Sequence, residues 1–472
     1  MSLTQQPRLH PAPVDPHSPL SRLSRLLDRD SVLALHTPDD SGALAVTGTV
    51  AGQPVVAYAT DPTVKGGALG AAGCRHIVGA IAEAVARRVP VVGLWQSGGA
   101  RLADGVASLD GVGRIFAAMT AASGQVPQLS VVLGPAAGAA AYGPALTDII
   151  VTTAEARMFV TGPEVIRRVT GEDIEMEALG GPQVHDRKSG VAHVYAGTEA
   201  EAYVRTRALI TLLGDPGMFD LETVPRHGDL REVLPANSRS AYNVKDLLGA
   251  VLDPARFEEL QPRWAPNVVI GFGRLAGHTV GVVANNPLRK GGCLDALGAE
   301  KAARFVRLCD ALGVPLLVLV DVPGYLPGVE QEWAGVIRRG AKLLHAFAEA
   351  RVPRVSLITR KAYGGAFIAM NSRALGATAV LAWPDAEVAV MGADAAVGVL
   401  HRRRLSAAPA DEREALRAEL VERHRATTGG VQRAVALGVV DEVIDPALTR
   451  MSLARALATA PARRGGHTNI PL

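Results

Sequence analysis

The chain repeats itself. The hexapeptide KGGALG at residues 65–70 returns as KGGCLD at residues 290–295, 225 positions further on. RVPVVGLWQSGGA (88–100) and GVPLLVLVDVPGY (313–325) keep that spacing, so Pro90 answers Pro315 and Gly99 answers Gly324. The register then widens slightly. GPAAGAAAYG (134–143) answers TRKAYGGAFIAM (359–370), and AEARMFVTGP (154–163) answers DAEVAVMGAD (385–394), with Ala156 mapping onto Ala386 at an offset of 230. Several blocks recurring in one order mean two copies of one domain. The period is far too long for a solenoid, whose repeats run at roughly 20–50 residues. Two homologous domains facing each other suit a reaction between two substrates.

At 472 residues the chain is long enough for more than one core. A net charge of +3 is too small to argue for nucleic acid or an anionic membrane surface. The longest nearly apolar run, residues 129–146, is broken by prolines and glycines and reads as strand–turn–helix, not as a membrane helix. Cys74, Cys293 and Cys309 lack CxxC or metal spacing and read as reduced thiols of a cytoplasmic protein. The N-terminus lacks the basic-then-apolar order of a signal peptide.

Residues 1–17 are rich in proline and polar residues and read as a loose arm. Apolar spacing at Leu20, Leu23, Leu26 and Leu27 predicts one amphipathic helix over residues 20–35. In each repeat, runs such as VPVVGLW alternate with Ala-rich stretches such as HIVGAIAEAVARR, the pattern of βα units on a mostly parallel sheet. The polar stretch 227–244 reads as a linker, giving domains 18–240 and 241–472. The mixed charges of residues 411–425 predict a solvated helix face.

No HExxH, GxSxG, Walker loop or Cys/His ligand set is present. What recurs is a strand that ends in small residues and runs into a helix: QSGGARL (96–102), GPAAGAAAYG, DVPGYLPG (321–328) and KAYGGAFIAM (361–370). Small residues let backbone N–H groups approach a ligand oxygen, so such a turn can serve as an oxyanion hole built from main chain. A single Gly pair is most simply a tight turn. Two per repeat, at matching places, point to a site.

At these motifs the chain resembles the carboxyltransferase (β) subunits of biotin-dependent acyl-CoA carboxylases. The blocks SGGAR, GPAAGAAAYGPALTD, FVTGPEVIRRVTGEDI, NNPLRKGGCLD, DVPGYLPG, RKAYGGAFIAM, WPDAEVAVMG and the terminal NIPL carry the resemblance, in order, from about residue 20 to the end. It implies an α/β fold of two crotonase-like domains, each a ββα superhelix. It also implies a homohexamer, a trimer of dimers, with each site formed between the N-terminal domain of one subunit and the C-terminal domain of its partner. The implied reaction transfers carboxyl from N1′-carboxybiotin to the α-carbon of an acyl-CoA. The thioester becomes an enolate and biotin a ureido anion, so two oxyanion holes are needed and a base motif is not.

By this resemblance the N–H groups around Gly99 and Ala100, and around Gly138 and Ala139, hold the thioester oxygen. Those around Gly324 and Tyr325, and around Gly365 and Ala366, hold the ureido oxygen. Ala139 stands where many relatives have a second glycine. Ile368 stands where others often carry Asp, a place associated with acyl-chain choice; an apolar wall suits acetyl-CoA and propionyl-CoA, while the plainer alternative is that Ile368 packs a helix. Arg101 either engages CoA phosphate or pairs with a nearby carboxylate, and Lys65 and Lys290 are lesser phosphate candidates or solvated turn residues. The zinc ribbon of one bacterial branch is absent, so no metal is expected. With no biotin-accepting or ATP-grasp region, biotin is expected on a partner, the biotin carboxylase and carrier (α) subunit. The expected products, malonyl-CoA and methylmalonyl-CoA, would feed lipid or polyketide synthesis. The alternatives are the carboxyltransferase part of a biotin-dependent decarboxylase or transcarboxylase, and a catalytically silent scaffold.

Overall fold

The computed structural model describes residues 15–224, 228–237, 240–254, 257–428 and 430–471. Most of the expected N-terminal arm and part of the expected linker lie outside them. Two compact units emerge: one holds the described residues up to Pro216 with Glu258–Trp264 and those from Gly466 onward, the other Gly217–Phe257 and Ala265–Gly465. Residue 240, where the sequence suggested a boundary, therefore falls inside the second unit.

In the first unit, strands Leu33–Ala34, Ala43–Val50, Gln53–Thr60, Val91–Ser97, Gln128–Ala137, Ile149–Thr153 and Val194–Ala196 lie side by side in chain order. The first three pair antiparallel and the rest parallel. Arg157–Phe159 adds to the far end of Gln128–Ala137. In the second unit Val268–Leu275 and His278–Asn285 form the antiparallel hairpin, followed in parallel by Leu316–Val322, Arg354–Tyr363, Ala379–Ala382 and Glu442–Val443, with Glu387–Ala389 beside Arg354–Tyr363. The central strands are Val/Leu-rich because both faces are covered; all seven residues of Leu316–Val322 are buried.

The duplication survives in detail. Crossover helices Ala71–Arg87 and Ala296–Leu312 are both 17 residues long, and Gln128–Ala137 and Arg354–Tyr363 are both 10. Each hairpin turns on a left-handed Ala-Gly pair, Ala51 and Gly52 or Ala276 and Gly277. Both copies break register at the same place, between Trp95 and Ser97 and between Val320 and Val322, just before the small-residue turns.

Two expectations change. The first helix spans only Pro19–Leu26. It stops because Asp28 turns to the neighbouring hairpin, accepting from Thr49 Oγ1 at 2.7 Å and from the N–H of Ala51 and Gly52 at 3.0 and 2.8 Å. The charged segment forms the helix Arg413–Thr428, and although most of it is solvated, Leu420 and Val421 are buried against Val397 and Leu405.

The repeated KGG turn has a steric purpose. Lys65, Gly66 and Gly67, and again Lys290, Gly291 and Gly292, all have positive φ. A Cβ on Gly67 would stand 2.2 Å from the carbonyl oxygen of Gln96, and one on Gly292 2.5 Å from that of Asp321. Each turn is thus pressed onto the end of a central strand. At Gly66 and Gly291 a Cβ would meet nothing within 4 Å. Gly67→Ala and Gly292→Ala should therefore cost at least about 2 kcal/mol more than Gly66→Ala and Gly291→Ala. Chemical denaturation of the four variants measures this; equal losses would contradict it.

Candidate active site

The small-residue turns sit at the C-terminal ends of adjacent parallel strands in both sheets, where open α/β sheets commonly bind ligands. In the first unit Ser97 pairs with Ala136, so the Gly99 and Gly138 turns emerge side by side. They touch: a Cβ on Gly99, whose φ is +91°, would stand 2.8 Å from the Ala137 oxygen and 3.5 Å from the Ala139 nitrogen. The backbone around them is accounted for. Gly98 N–H donates to Gly66 O (3.1 Å), Leu69 N–H to Gly99 O (2.8 Å), Arg101 N–H to Leu69 O (2.9 Å) and Gly138 N–H to Phe159 O (3.0 Å). The Gly99 N–H goes to Ser97 Oγ at 3.1 Å, and that hydroxyl donates to Gly67 O at 2.6 Å. Other N–H groups are left unspent. Among the described residues no acceptor meets the N–H of Ala100 or of Ala139, the first residue of the Ala139–Ala145 helix. Both residues are half-buried.

The second unit repeats this arrangement. Val322 pairs with Ala362, placing the Gly324 and Gly364 turns side by side. Leu294 N–H donates to Gly324 O (3.1 Å) and Leu326 N–H to Leu294 O (2.7 Å), leaving the N–H of Tyr325 without an acceptor among the described residues, as that of Ala100 is. Gly364 has φ +59° and matches Gly138 at +56°. The residue corresponding to Ala139 is therefore Gly365, and the pairs read from the sequence are one residue out of step between the copies. Gly365 is exposed with its N–H unspent, whereas Ala366, one step deeper in the Gly364–Ala369 helix, is buried. Such N–H groups cannot be protonated or exhausted, and they suit an oxygen on which negative charge develops.

Gly365 and Ile368 line one cleft of about 390 Å³, together with Phe367, Val388, Val390, Ala434, Leu437 and Val439. Ile368 is 45% exposed and lines this cleft. Arg101 is largely buried: its guanidinium donates to Ala68 O (3.3 Å) and Ser41 O (3.1 Å) and stands 3.9 Å from Asp104. It braces the turn, so of the two sequence alternatives the geometry displays the carboxylate neighbour. Lys290 pairs with Asp295, which caps the Ala296–Leu312 helix. Gly70 stands in the place of Asp295 in the first copy, and Lys65 is exposed with no ion pair among the described residues.

Sequence reasoning missed Ser97, whose hydroxyl ties the KGG turn to the Gly99 turn, and Asp321, buried on the strand that leads into the Gly324 turn. Burial pushes the Asp321 carboxyl above its ordinary range against the pull of Arg360 at 3.8 Å and the Lys361 N–H at 3.2 Å. The Tyr325 phenol is likewise raised by burial. Only His36, Asp39 and His76, among the described residues, bring three potential metal ligands together. Their geometry does not fit a shared ion. The imidazoles stack at 3.4 Å with planes 4° apart, so no ion can lie in both ring planes, and both His36 nitrogens are spent, on Thr37 O (2.9 Å) and the Ala45 N–H (3.1 Å).

Gly365 gives a clean probe. A side chain there meets nothing within 4 Å and would project into the cleft. Gly365→Val should leave the unfolding midpoint nearly unchanged while lowering catalysis roughly a hundredfold or more, the scale of losing one oxyanion donor. Undiminished turnover would place the site elsewhere.

Comparison with known proteins finds likenesses over nearly the whole chain. The model of the carboxyl transferase domain family matches residues 14–466. The chain is 60% identical over 461 residues to the biotin-dependent acetyl-/propionyl-coenzyme A carboxylase beta6 subunit of Mycobacterium bovis, covering 97% of this chain and 98% of that one. It is 56% identical over 463 residues to the propionyl-CoA carboxylase beta chain of Rhodococcus erythropolis, covering 97% of each. The crystal structure of transcarboxylase 12S, a hexamer with methylmalonyl-coenzyme A bound, superposes with a TM-score of 0.88 at 39% identity, over 95% of this chain and 91% of that one. The two sheets, parallel beyond their hairpins, are thus those of a crotonase-like carboxyltransferase. No helix of the described residues is long and apolar enough to cross a membrane.

Proposed function

This chain belongs to the carboxyl transferase domain family, and from that premise we propose that it transfers a carboxyl group from carboxybiotin to the α-carbon of a short acyl-CoA, acetyl-CoA or propionyl-CoA. One observation carries the reading: each copy of the duplicated domain ends two neighbouring strands in turns whose N–H groups are left unspent. Removing a proton from the α-carbon of a thioester moves charge onto its oxygen, and the N–H groups of Ala100 and Ala139 stand ready to receive that charge. Each such donor contributes about 3–4 kcal/mol when fixed in place beforehand.

The apolar cleft at Gly365 fits a bicyclic ring bearing a single carbonyl, with the N–H groups of Tyr325 and Gly365 as donors to the ureido oxygen. Carboxybiotin would supply the carboxyl group and a base for the α-proton. The chain's own part is to orient, to exclude water and to hold two oxygens, which accounts for a site without a catalytic His, Asp or Glu. A silent scaffold would have no need of unspent donors at four turns. The 60% identity to a carboxylase subunit favours carboxylation over the transcarboxylase reading, whose 12S relative is 42% identical.

The reading includes a cytoplasmic homohexamer, a trimer of dimers, working with a biotin carboxylase and carrier subunit. Purified chain given an ATP-charged carrier subunit and bicarbonate should form malonyl-CoA and methylmalonyl-CoA, at rates within roughly two orders of magnitude of each other, because an apolar pocket separates acyl groups differing by one methylene only weakly. No transfer to either thioester would sink the reading. Separately, mixing Gly138→Val chains with Gly365→Val chains should restore part of the activity that each lacks, since a mixed dimer holds one site with both holes intact. Absence of rescue in demonstrably mixed hexamers would mean that each site lies within one subunit.

A further inference from the structure

We infer that Ser97 is a positioning residue for the thioester oxygen: its hydroxyl takes up the Gly99 N–H and so fixes the angle at which the next N–H, that of Ala100, meets the ligand. The inference rests on the function proposed above and adds to it the side chain that aims one of its donors. Ser97 is buried, and its hydroxyl is fully engaged within the chain. The one hydroxyl proton goes to Gly67 O at 2.6 Å, so a lone pair faces the Gly99 N–H at 3.1 Å. The two peptides that meet at Gly99 are then both tied. Ser97 holds the one before it, and the Leu69 N–H holds the one after it through Gly99 O at 2.8 Å. Between them lie only the torsions of a glycine, which would otherwise be the softest in the turn.

The second copy is a control built into the same chain. Val322 replaces Ser97, yet the bridge forms there too, Leu294 pairing with Tyr325 as Leu69 does with Ala100. The carbonyl that answers Gly67 O is that of Gly292, and the Asn285 side-chain amide donates to it at 3.2 Å. Satisfying that carbonyl therefore needs no hydroxyl at the strand end. What has no counterpart is the other bond. Among the described residues nothing accepts the N–H of Gly324, and its φ stands at +145° where that of Gly99 stands at +91°. The two turns part at this bond, and so do their proposed ligands, an enolate oxygen in one and a ureido oxygen in the other. With its own N–H spent on Ser97, Gly99 offers the enolate no rival donor beside Ala100.

Ser97→Ala removes both bonds, and Ser97→Cys keeps the bulk but accepts a hydrogen bond poorly. On assembled protein, at a temperature where each variant stays folded, kcat and KM would be measured for propionyl-CoA and for the carboxylated carrier subunit. Both variants should lose roughly tenfold to a hundredfold in kcat, the scale of a donor that is misaimed and not removed, while both KM values stay within about twofold. A role in packing alone would spare the kcat of Ser97→Cys, and a role in folding alone would lower the yield of assembled protein without touching its kcat. Either result, or a loss confined to KM, would overturn the inference while the wild type remained active. Should Ser97→Ala not assemble, Ser97→Cys decides alone. A wild type that transfers no carboxyl group would overturn the inference together with the function on which it rests.

Discussion

Everything at the candidate site depends on a close approach that only glycine permits. Gly67 and Gly292 let a loop lie directly against the carbonyl at the end of a central strand, 2.2 and 2.5 Å from where their Cβ atoms would be. That approach lets Leu69 and Leu294 bridge to Ala100 and Tyr325. The bridge consumes the carbonyls of Gly99 and Gly324 and the next N–H groups along, and leaves one N–H between them free. The unspent donor is a product of geometry: an isolated parallel bridge engages the groups on either side of the residue and not the residue's own N–H. The second donor comes from the neighbouring strand, where a glycine with positive φ turns the chain into a helix whose first N–H groups have no carbonyl to meet.

The two copies solve the same problem with different side chains. In the first, the Ser97 hydroxyl bonds Gly67 O and receives the Gly99 N–H. In the second, Val322 occupies the Ser97 position, and the buried Asp321 carboxylate, one residue earlier, receives the Lys361 N–H from the adjacent strand. The first copy braces its turn with Arg101 on two carbonyls; the second has Leu326 there and seats the Tyr325 ring over Gly340, where a Cβ would stand 3.0 Å from the phenol oxygen. The conserved element is backbone geometry, and the side chains that fix it have diverged.

This explains what could be read from the residues alone. The duplication, the alternation of strands and helices, and the four small-residue turns were legible because they depend on apolar periodicity and glycine placement, which are local. The roles of Ser97 and Asp321 were not, since a serine or aspartate at a strand end is ordinary until the partner 30 or 40 residues away is known. Arg101 was legible only as two alternatives, because a guanidinium beside a glycine turn serves a phosphate or a carbonyl equally well. The one-residue slip between Gly138 and Gly364 escaped for a related reason: KAYGGA offers two consecutive glycines, and only φ distinguishes the one that turns from the one that donates. The Gly430–Gly438 segment carries no motif at all, and its place on the cleft is set by tertiary structure.

The central claim is that main-chain N–H groups, and no side chain, receive the charge of the reaction. A crystal or cryo-electron microscopy structure of the assembled protein with an enolate-mimicking CoA thioester tests it most directly. The account predicts the oxygen 2.7–3.1 Å from the nitrogens of Ala100 and Ala139, the range expected of oxyanion donors. An oxygen held by Arg101 or another side chain, with those two N–H groups turned to water, would contradict it.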